Sequence, residues 1–277
     1  MSGEQAAEQQ TQAPVTLITG ATKGLGLAFA HSFAARGHDL MIVARSGEEL
    51  ARAAGDLEAQ HGVRVYTLRC DLSSIRGRDA VERDVKRRRL FVEYLVNNAG
   101  YGLAGPFIGI DREQTLNMIE LNVGALTDLT RRFLPAMVEA RRGGVLNVSS
   151  LAGMTPGPYQ AAYYATKAYV NSLSEALAHE VWTSGVKVAA FLSGPVETEF
   201  HSRMGADTAH YIRLLGMQKP EVAAEAAVRK FLSGRRMIVH GAMNMISAFF
   251  MRITPHFILV PCVAWLLKLR GPRKTAD

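Results

Sequence analysis

This 277-residue sequence predicts a single-domain, doubly wound parallel α/β fold of about seven strands. Short apolar runs alternate with helical apolar patterns between residues 14 and 240, leaving no stretch for a linker. The first run feeds a glycine turn and then a helix, and later runs end in small or amide residues, where open parallel sheets place ligands. Hydrophobic residues make up 48% of the chain, ample for one sizeable core.

Residues 15–19 form the first strand. The turn Gly20-Ala21-Thr22-Lys23-Gly24-Leu25-Gly26 follows, then a helix patterned through Leu27, Ala30, Phe33 and Ala34. Glycines allow a tight turn whose backbone N–H groups can approach a pyrophosphate, and the helix start presents its positive end to the anion. Residues 39–44 form the second strand, and Ser46 with Glu49 makes a capping box for the next helix. Dinucleotide folds place an acid about twenty residues past the glycines to bind a ribose hydroxyl. Here Ala44 and Arg45 stand instead. Arg45, with Lys23 on the same side, suits a 2′-phosphate, so NADP(H) is expected over NAD(H).

The third strand, residues 63–70, ends at Asp71 and Leu72. The Asp71 carboxylate either accepts a bond from adenine or caps the turn before the Ser74 helix. Residues 91–96 form the fourth strand and run into Asn97, Asn98, Ala99 and Gly100, where the amides touch a ligand, lock the loop, or both. Asp111 and Gln114 open a long helix through Leu116, Ile119, Val123 and Leu126. Asn122 is polar among its apolar neighbours and needs partners: a kinked backbone, or a water that relays protons to Lys167. Pro135 is expected to bend or restart that helix.

Residues 145–149 make the fifth strand and lead to Ser150, a Gly/Pro loop and a helix carrying Tyr163 and Lys167, with Val170, Leu173, Leu177 and Val181 as its core stripe. The sixth strand, 186–192, ends in Ser193-Gly194-Pro195-Val196-Glu197-Thr198. A flexible-looking segment over 200–217 carries Met204, Tyr211, Leu214, Leu215 and Met217. Pro220 opens another helix, and 237–239 is a last short strand.

Tyr163 and Lys167 lie one helical turn apart. A fixed cation beside a phenol lowers its pKa toward a useful range, and Ser150 can aim a neutral donor at the same substrate oxygen. Alone, this spacing also suits an ordinary amphipathic helix.

The net charge of +7 favours anionic ligands or surfaces, but the cations sit in short clusters (residues 86–89, Arg131 with Arg132, Arg141 with Arg142, Arg235 with Arg236) near predicted helix ends. No aromatic ladder or nucleic-acid motif accompanies them. Two cysteines and eight scattered histidines predict neither a disulfide framework nor a metal site. The polar residues 1–13 lack the features of a signal peptide, so a disordered tail and a cytoplasmic protein are expected.

In order, Thr19-Gly20-x-x-x-Gly24-x-Gly26, Asn97-Asn98-Ala99-Gly100, Asn122, Ser150, Tyr163-x-x-x-Lys167 and Gly194-Pro195-Val196-Glu197-Thr198 resemble the short-chain dehydrogenase/reductase superfamily, in its single-domain, non-extended branch with a Rossmann fold. The resemblance implies that Gly20, Gly24 and Gly26 line the cofactor phosphates together with Thr22, Lys23 and Leu25. It further implies Arg45, Asp71, Leu72, Asn98, Ala99 and Gly100 along the adenosine half, with Gly194, Val196 and Thr198 at the nicotinamide. Asn122, Ser150, Tyr163 and Lys167 match the catalytic tetrad, Tyr163 and Lys167 also touching cofactor. The expected activity is NADP(H)-dependent interconversion of a hydrophobic ketone or aldehyde and its alcohol, by a homodimer or homotetramer. The alternative is a non-catalytic NADP(H)-binding sensor or scaffold. Ser193 stands where the family usually has proline, which predicts a slightly looser nicotinamide loop.

An apolar substrate pocket is expected from Tyr101, Leu103, Phe107, Met154, Tyr159, Phe200, Met204, Tyr211 and Leu215. The extension 241–277 is rich in apolar residues, but its uninterrupted run over 257–267 is too short to span a bilayer. It is expected to cover the pocket or form a subunit contact, with shallow seating on an anionic membrane as the other reading.

Overall fold

The computed structural model describes residues 12–205 and 216–268. Seven parallel strands form one sheet: β1 (Ala13–Thr19), β2 (Leu40–Ala44), β3 (Val65–Arg69), β4 (Leu90–Asn97), β5 (Gly144–Ser150), β6 (Lys187–Ser193) and β7 (Met237–Ile238). Their order is β3-β2-β1-β4-β5-β6-β7, so the winding reverses between β1 and β4. That reversal opens a crevice at the strands' C-terminal ends.

The helices between strands are α1 (Gly24–Ala34), α2 (Gly47–His61), α3 (Ile75–Arg87), α4 (Arg112–Ile119), α5 (Leu126–Glu139), α6 (Ala161–Glu180), α7 (Phe200–Met204) and α8 (Pro220–Leu232). Strands buried on both faces read as continuous apolar runs, which is why β1, β2 and β6 stood out in the sequence. One core packs α1, α2 and α8 on Ile18, Ile42, Val96, Leu146 and Phe191. The opposite core packs α3 and α5 on Leu17, Val43, Leu95, Val145 and Val188. Helix starts follow local chemistry: Ser46 and Ser74 each accept a backbone N–H three residues on, at 3.3 and 3.1 Å.

The predicted strands differ from the observed ones by at most two residues at an end. The long helix departs more. Pro135 lies inside an unbroken α5. The carbonyl it orphans belongs to Arg131, which like Pro135 is exposed, so water can take that bond. The interruption instead falls at Glu120–Ala125, a π turn that contains Asn122.

Of the basic clusters, the one at residues 86–89 sits at the end of α3, whereas Arg132 lies mid-helix in α5. Lys86 pairs with Glu82 at 2.5 Å, and Arg87 and Arg88 both pair with Asp84. Arg132 bridges Asp79, Glu82 and Asp128. Beyond β7, α9 (Ala242–Ile253) and α10 (His256–Leu267) fold back as a helical pair.

Candidate active site

The crevice beside the β1–β4 reversal opens into a cleft of about 1560 Å³, larger than a typical single-ligand pocket. Every sequence-predicted cofactor and catalytic residue lines it except Asn122. Among the described residues no group of three His, Cys, Asp or Glu is placed to hold a metal ion.

At one end is the glycine turn. Gly20 and Gly24 have φ of +66° and +56°, backbone that side-chain-bearing residues seldom adopt. A Cβ on Gly26 would lie 2.1 Å from the Gly20 carbonyl oxygen and 2.5 Å from Asn98 Nδ2. The start of α1 therefore presses directly on the turn. Its first turn has neither a side-chain cap nor an acidic residue, leaving its N–H groups and positive dipole end for an anion. This cradle fits a dinucleotide's phosphates.

Asn98 builds the cradle rather than reaching outward. Its Nδ2 donates to the carbonyls of Thr19 (2.9 Å) and Gly20 (3.1 Å), while Thr19 Oγ1 accepts from the N–H groups of Asn98 and Ala99, both at 3.0 Å. Asn97 is buried and donates to Thr130 and Asn147. Of the two readings of these amides, loop-locking is the one visible here. Asp71 Oδ1 likewise accepts from Ser73 N and Oγ at 3.0 and 2.8 Å, capping the turn while the residue lines the cleft.

The two expected phosphate cations are not equivalent. Lys23 Nζ pairs with Glu49 at 3.1 Å and Glu199 at 3.5 Å, and Thr22 also donates to Glu49. Those bonds, led by that from Lys23, hold the Glu49 carboxyl below its usual range. Lys23 thus has two carboxylate partners in this structure, whereas the expectation placed it beside Arg45 as a second cation for the phosphate. Arg45 is exposed and lines the cleft, and its charge acts on the Tyr101 phenol across it.

At the other end stand Ser150, Tyr163 and Lys167. Ser150 closes β5, and its Oγ donates to the Ser193 carbonyl at 3.3 Å and accepts from Ala152 N at 3.1 Å. Tyr163 and Lys167 share the inward face of α6, and both are buried. Lys167 Nζ donates to the Val148 carbonyl at 2.8 Å and lies 5.9 Å from the Tyr163 ring centre.

Burial dominates both groups. It pushes the Tyr163 phenol up to about 12, partly offset by a hydrogen bond with Ser150, and pushes Lys167 down to about 8. The expected lowering of the phenol by the lysine is therefore not what this structure shows: desolvation outweighs a cation whose own proton is loosened.

This has a pH consequence. Below about pH 8 the fold bears the full desolvation of the Lys167 ammonium; between there and about 10.5 the unfolded chain binds the extra proton, so stability rises with pH. Tyr163 acts oppositely between about 10 and 12, where the folded state alone keeps the proton. Urea unfolding from roughly pH 7 to 10 should show the wild type gaining about 2–3 kcal/mol relative to Lys167→Met. Parallel profiles would mean that Lys167 titrates as in water.

Asn122 is buried on the π turn beneath this group. Its Oδ1 accepts from Tyr101 N at 3.1 Å, and its Nδ2 donates to the Tyr101 carbonyl (2.8 Å) and Thr166 Oγ1 (3.2 Å). Thr166 in turn donates to the Tyr163 carbonyl at 2.7 Å. The side chain clamps the loop after β4 to the helix carrying Tyr163. Of its two readings, the backbone-holding one is visible.

Over the catalytic end, Phe200 packs on Tyr163 with ring centres 5.7 Å apart. Met204 fills the space beside Gly102, its Cε 2.3 Å from where a Cβ there would be. Tyr101, Phe200 and Met204 line the cleft as expected, and Leu103 packs with Tyr163 and Met204. Phe107 and Tyr159 point to solvent, and Met154 packs with Leu151 and Leu192 instead. Tyr211 and Leu215, with Leu214, lie outside the described residues.

The extension reaches the site, as its pocket-covering reading expected; the sequence left open which of its residues do so. Met251, Val263, Leu266 and Leu267 line the cleft, and Leu259, Val263 and Leu267 pack on Tyr164. Asn244, on α9, occupies the space above Gly194, its Oδ1 2.2 Å from where a Cβ would stand. Gln218 bonds the Pro195 and Glu197 backbones at 3.0 and 2.9 Å. Asn244 and Gln218 thus brace the loop expected to loosen through its missing proline. The apolar run of α10 was the available signal, but its all-round apolar composition hid which face turns inward.

A short chain dehydrogenase family model matches residues 14–209. The chain belongs to the short-chain dehydrogenase family. A very-long-chain 3-oxoacyl-CoA reductase from Coprinopsis cinerea (strain Okayama-7 / 130 / ATCC MYA-4618 / FGSC 9003) is 33% identical over 174 residues, 62% of this chain and 51% of that one. Three such reductases are matched over only 51–60% of their own lengths, so this short-chain dehydrogenase spans little more than half of them. A solved short-chain dehydrogenase from Sphingobium yanoikuyae in complex with NADPH is 33% identical, with a TM-score of 0.76 over 86% of this chain and 93% of that one. The bulky-bulky ketone specific alcohol dehydrogenase from Comamonas testosteroni superposes at a TM-score of 0.73 with 27% identity, covering 87% of this chain and 93% of that one.

Proposed function

We propose that this chain is an NADP(H)-dependent oxidoreductase that interconverts a hydrophobic ketone or aldehyde and its alcohol, with Tyr163 as the acid and base. The observation that carries the reading is one cleft with an uncapped helix start and Arg45 at one end and Ser150, Tyr163 and Lys167 at the other. Gly20, Gly24, Gly26 and the start of α1 would hold the cofactor's phosphates, Arg45 its 2′-phosphate, and Val196 and Thr198 its nicotinamide end. When bound, the cofactor supplies or accepts the hydride.

The protein's part is the proton and its placement. A phenol held near 12 stays protonated at neutral pH and is ready to give its proton to a carbonyl oxygen during reduction. Ser150 donates to the same oxygen as negative charge grows there. Lys167, charged below about 8, stabilises the phenolate left behind. Phe200, Met204 and α10 keep bulk water from the reacting atoms and offer apolar walls. The names of the reductase and bulky-ketone relatives support an extended apolar carbonyl substrate.

Exposed apolar side chains on α4 and α6, namely Leu116, Ile119 and Tyr169, support a homodimer or homotetramer contact near the helices carrying Asn122 and Tyr163. We place the enzyme in the cytoplasm.

Arg45→Ala tests the cofactor half. It should weaken NADPH binding by about 1.5–3 kcal/mol, the range for a hydrogen bond to a charged group, and leave NADH nearly unchanged. Lys23→Ala should cost less, because Glu49 and Glu199 already hold its charge. Equal losses for both cofactors would overturn the assignment to the 2′-phosphate. NADPH binding without turnover across a panel of apolar carbonyls would favour the sensor reading.

A further inference from the structure

We propose that α9 and α10 seat this enzyme on an anionic lipid surface, lying in the interface without crossing it, so that apolar substrate enters the cleft from the bilayer. The proposal rests on the apolar-carbonyl reading above for its substrate and on the following geometry for its surface.

Each helix has a face committed to the protein. Asn244 of α9 is buried against the Gly194 loop, and Leu259, Val263 and Leu267 of α10 are buried against Tyr164 and Met251. The opposite faces are equally apolar and uncovered among the described residues: Ile246, Phe249, Phe250, Ile253, Phe257 and Ile258 are all exposed, Phe249 by 60% and Phe257 by 79%. Helix α10 has no charged residue after His256, and a helix apolar on every side is stable only when both faces are covered. It is also too short to span a membrane, and no described helix is long and apolar enough to do so.

Charge selects the occupant. From residue 241 to 276 there is no Asp or Glu, while Arg252, Lys268, Arg270, Arg273 and Lys274 are cations. Arg252 and Lys268 are exposed beside the apolar face. A two-fold contact with a second copy would bring these cations together without a carboxylate from this stretch to meet them. Anionic headgroups supply the missing charge, and acyl chains accept the phenylalanines. The inner face of the same helix lines the cleft with Val263, Leu266 and Leu267, so one element touches both the surface and the pocket.

The test uses the full chain and sedimented vesicles of phosphatidylcholine, alone or mixed equally with phosphatidylglycerol. Binding to the mixed vesicles should exceed that to neutral ones by about tenfold and fall at high salt. The double substitution Phe249→Ser with Phe257→Ser should cut binding by about tenfold, while turnover of a short, water-soluble ketone is unchanged. With a long-chain ketone, mixed vesicles should lower the wild type's KM and not the variant's.

Sedimentation velocity without lipid supplies the opposing outcome: a dimer that the double variant dissociates would make this face a subunit contact and overturn the proposal. No binding to either vesicle would also overturn it, whatever the activity. Vesicle binding by a protein inactive on every carbonyl would leave the lipid seat standing and sink the oxidoreductase reading. Should the double variant fail to fold, Arg252→Glu with Lys268→Glu provides a second arm, with the same loss expected from charge alone.

Discussion

Tyr163→Phe is expected to lower kcat by about a hundred- to ten-thousand-fold, the usual worth of a positioned general acid, while NADPH affinity changes little. The ring's packing on Phe200 and Tyr164 survives the change, so the variant should fold. What disappears is the proton that the buried phenol, raised to about 12, still carries at neutral pH. The loss should appear in kcat and kcat/KM alike, because the bond to the substrate oxygen strengthens only as charge develops there. Steady-state kinetics with NADPH and an apolar ketone decide it. A variant that keeps more than about a tenth of wild-type kcat would assign the acid to another group.

Gly26→Ala should be nearly as damaging through a different route. The new methyl would fall 2.1 Å from a backbone oxygen, Gly20 O, and 2.5 Å from Asn98 Nδ2, which already bonds that turn. Neither can move without shifting the cradle, so α1 must back away from β1. Overpacking of this kind costs about 1–3 kcal/mol or more, and NADPH affinity should fall by at least about tenfold as the phosphate cradle moves. Gly55→Ala is the control: it sits in α2 with nothing within 4 Å of its added Cβ, and should stabilise the protein by about 0.5–1 kcal/mol. Urea unfolding and NADPH titration of both variants check the contrast. Equal stability for the two would show that the turn yields more readily than its hydrogen bonds indicate.

Much of this protein was determined by short-range patterns. Strands buried on both sides read as apolar runs, Ser46 and Ser74 marked helix starts, and the glycine turn between β1 and α1 was legible from composition and flanks alone. Tyr163 and Lys167 were legible as a pair one helical turn apart, and Ser150 at a strand end joined them through the match to the family's motifs. Only the tertiary structure decided what surrounds them. Glu49 and Glu199 pair with Lys23, Asn122 spends its amide on Tyr101 and Thr166, and Asn244 braces Gly194; each contact joins elements whose separation in sequence leaves no local signal. The pKa values followed the same rule. Spacing alone put a cation beside a phenol, but the sign of the shift belongs to desolvation, and desolvation is a property of everything packed around the pair, from Phe200 above to β5 below.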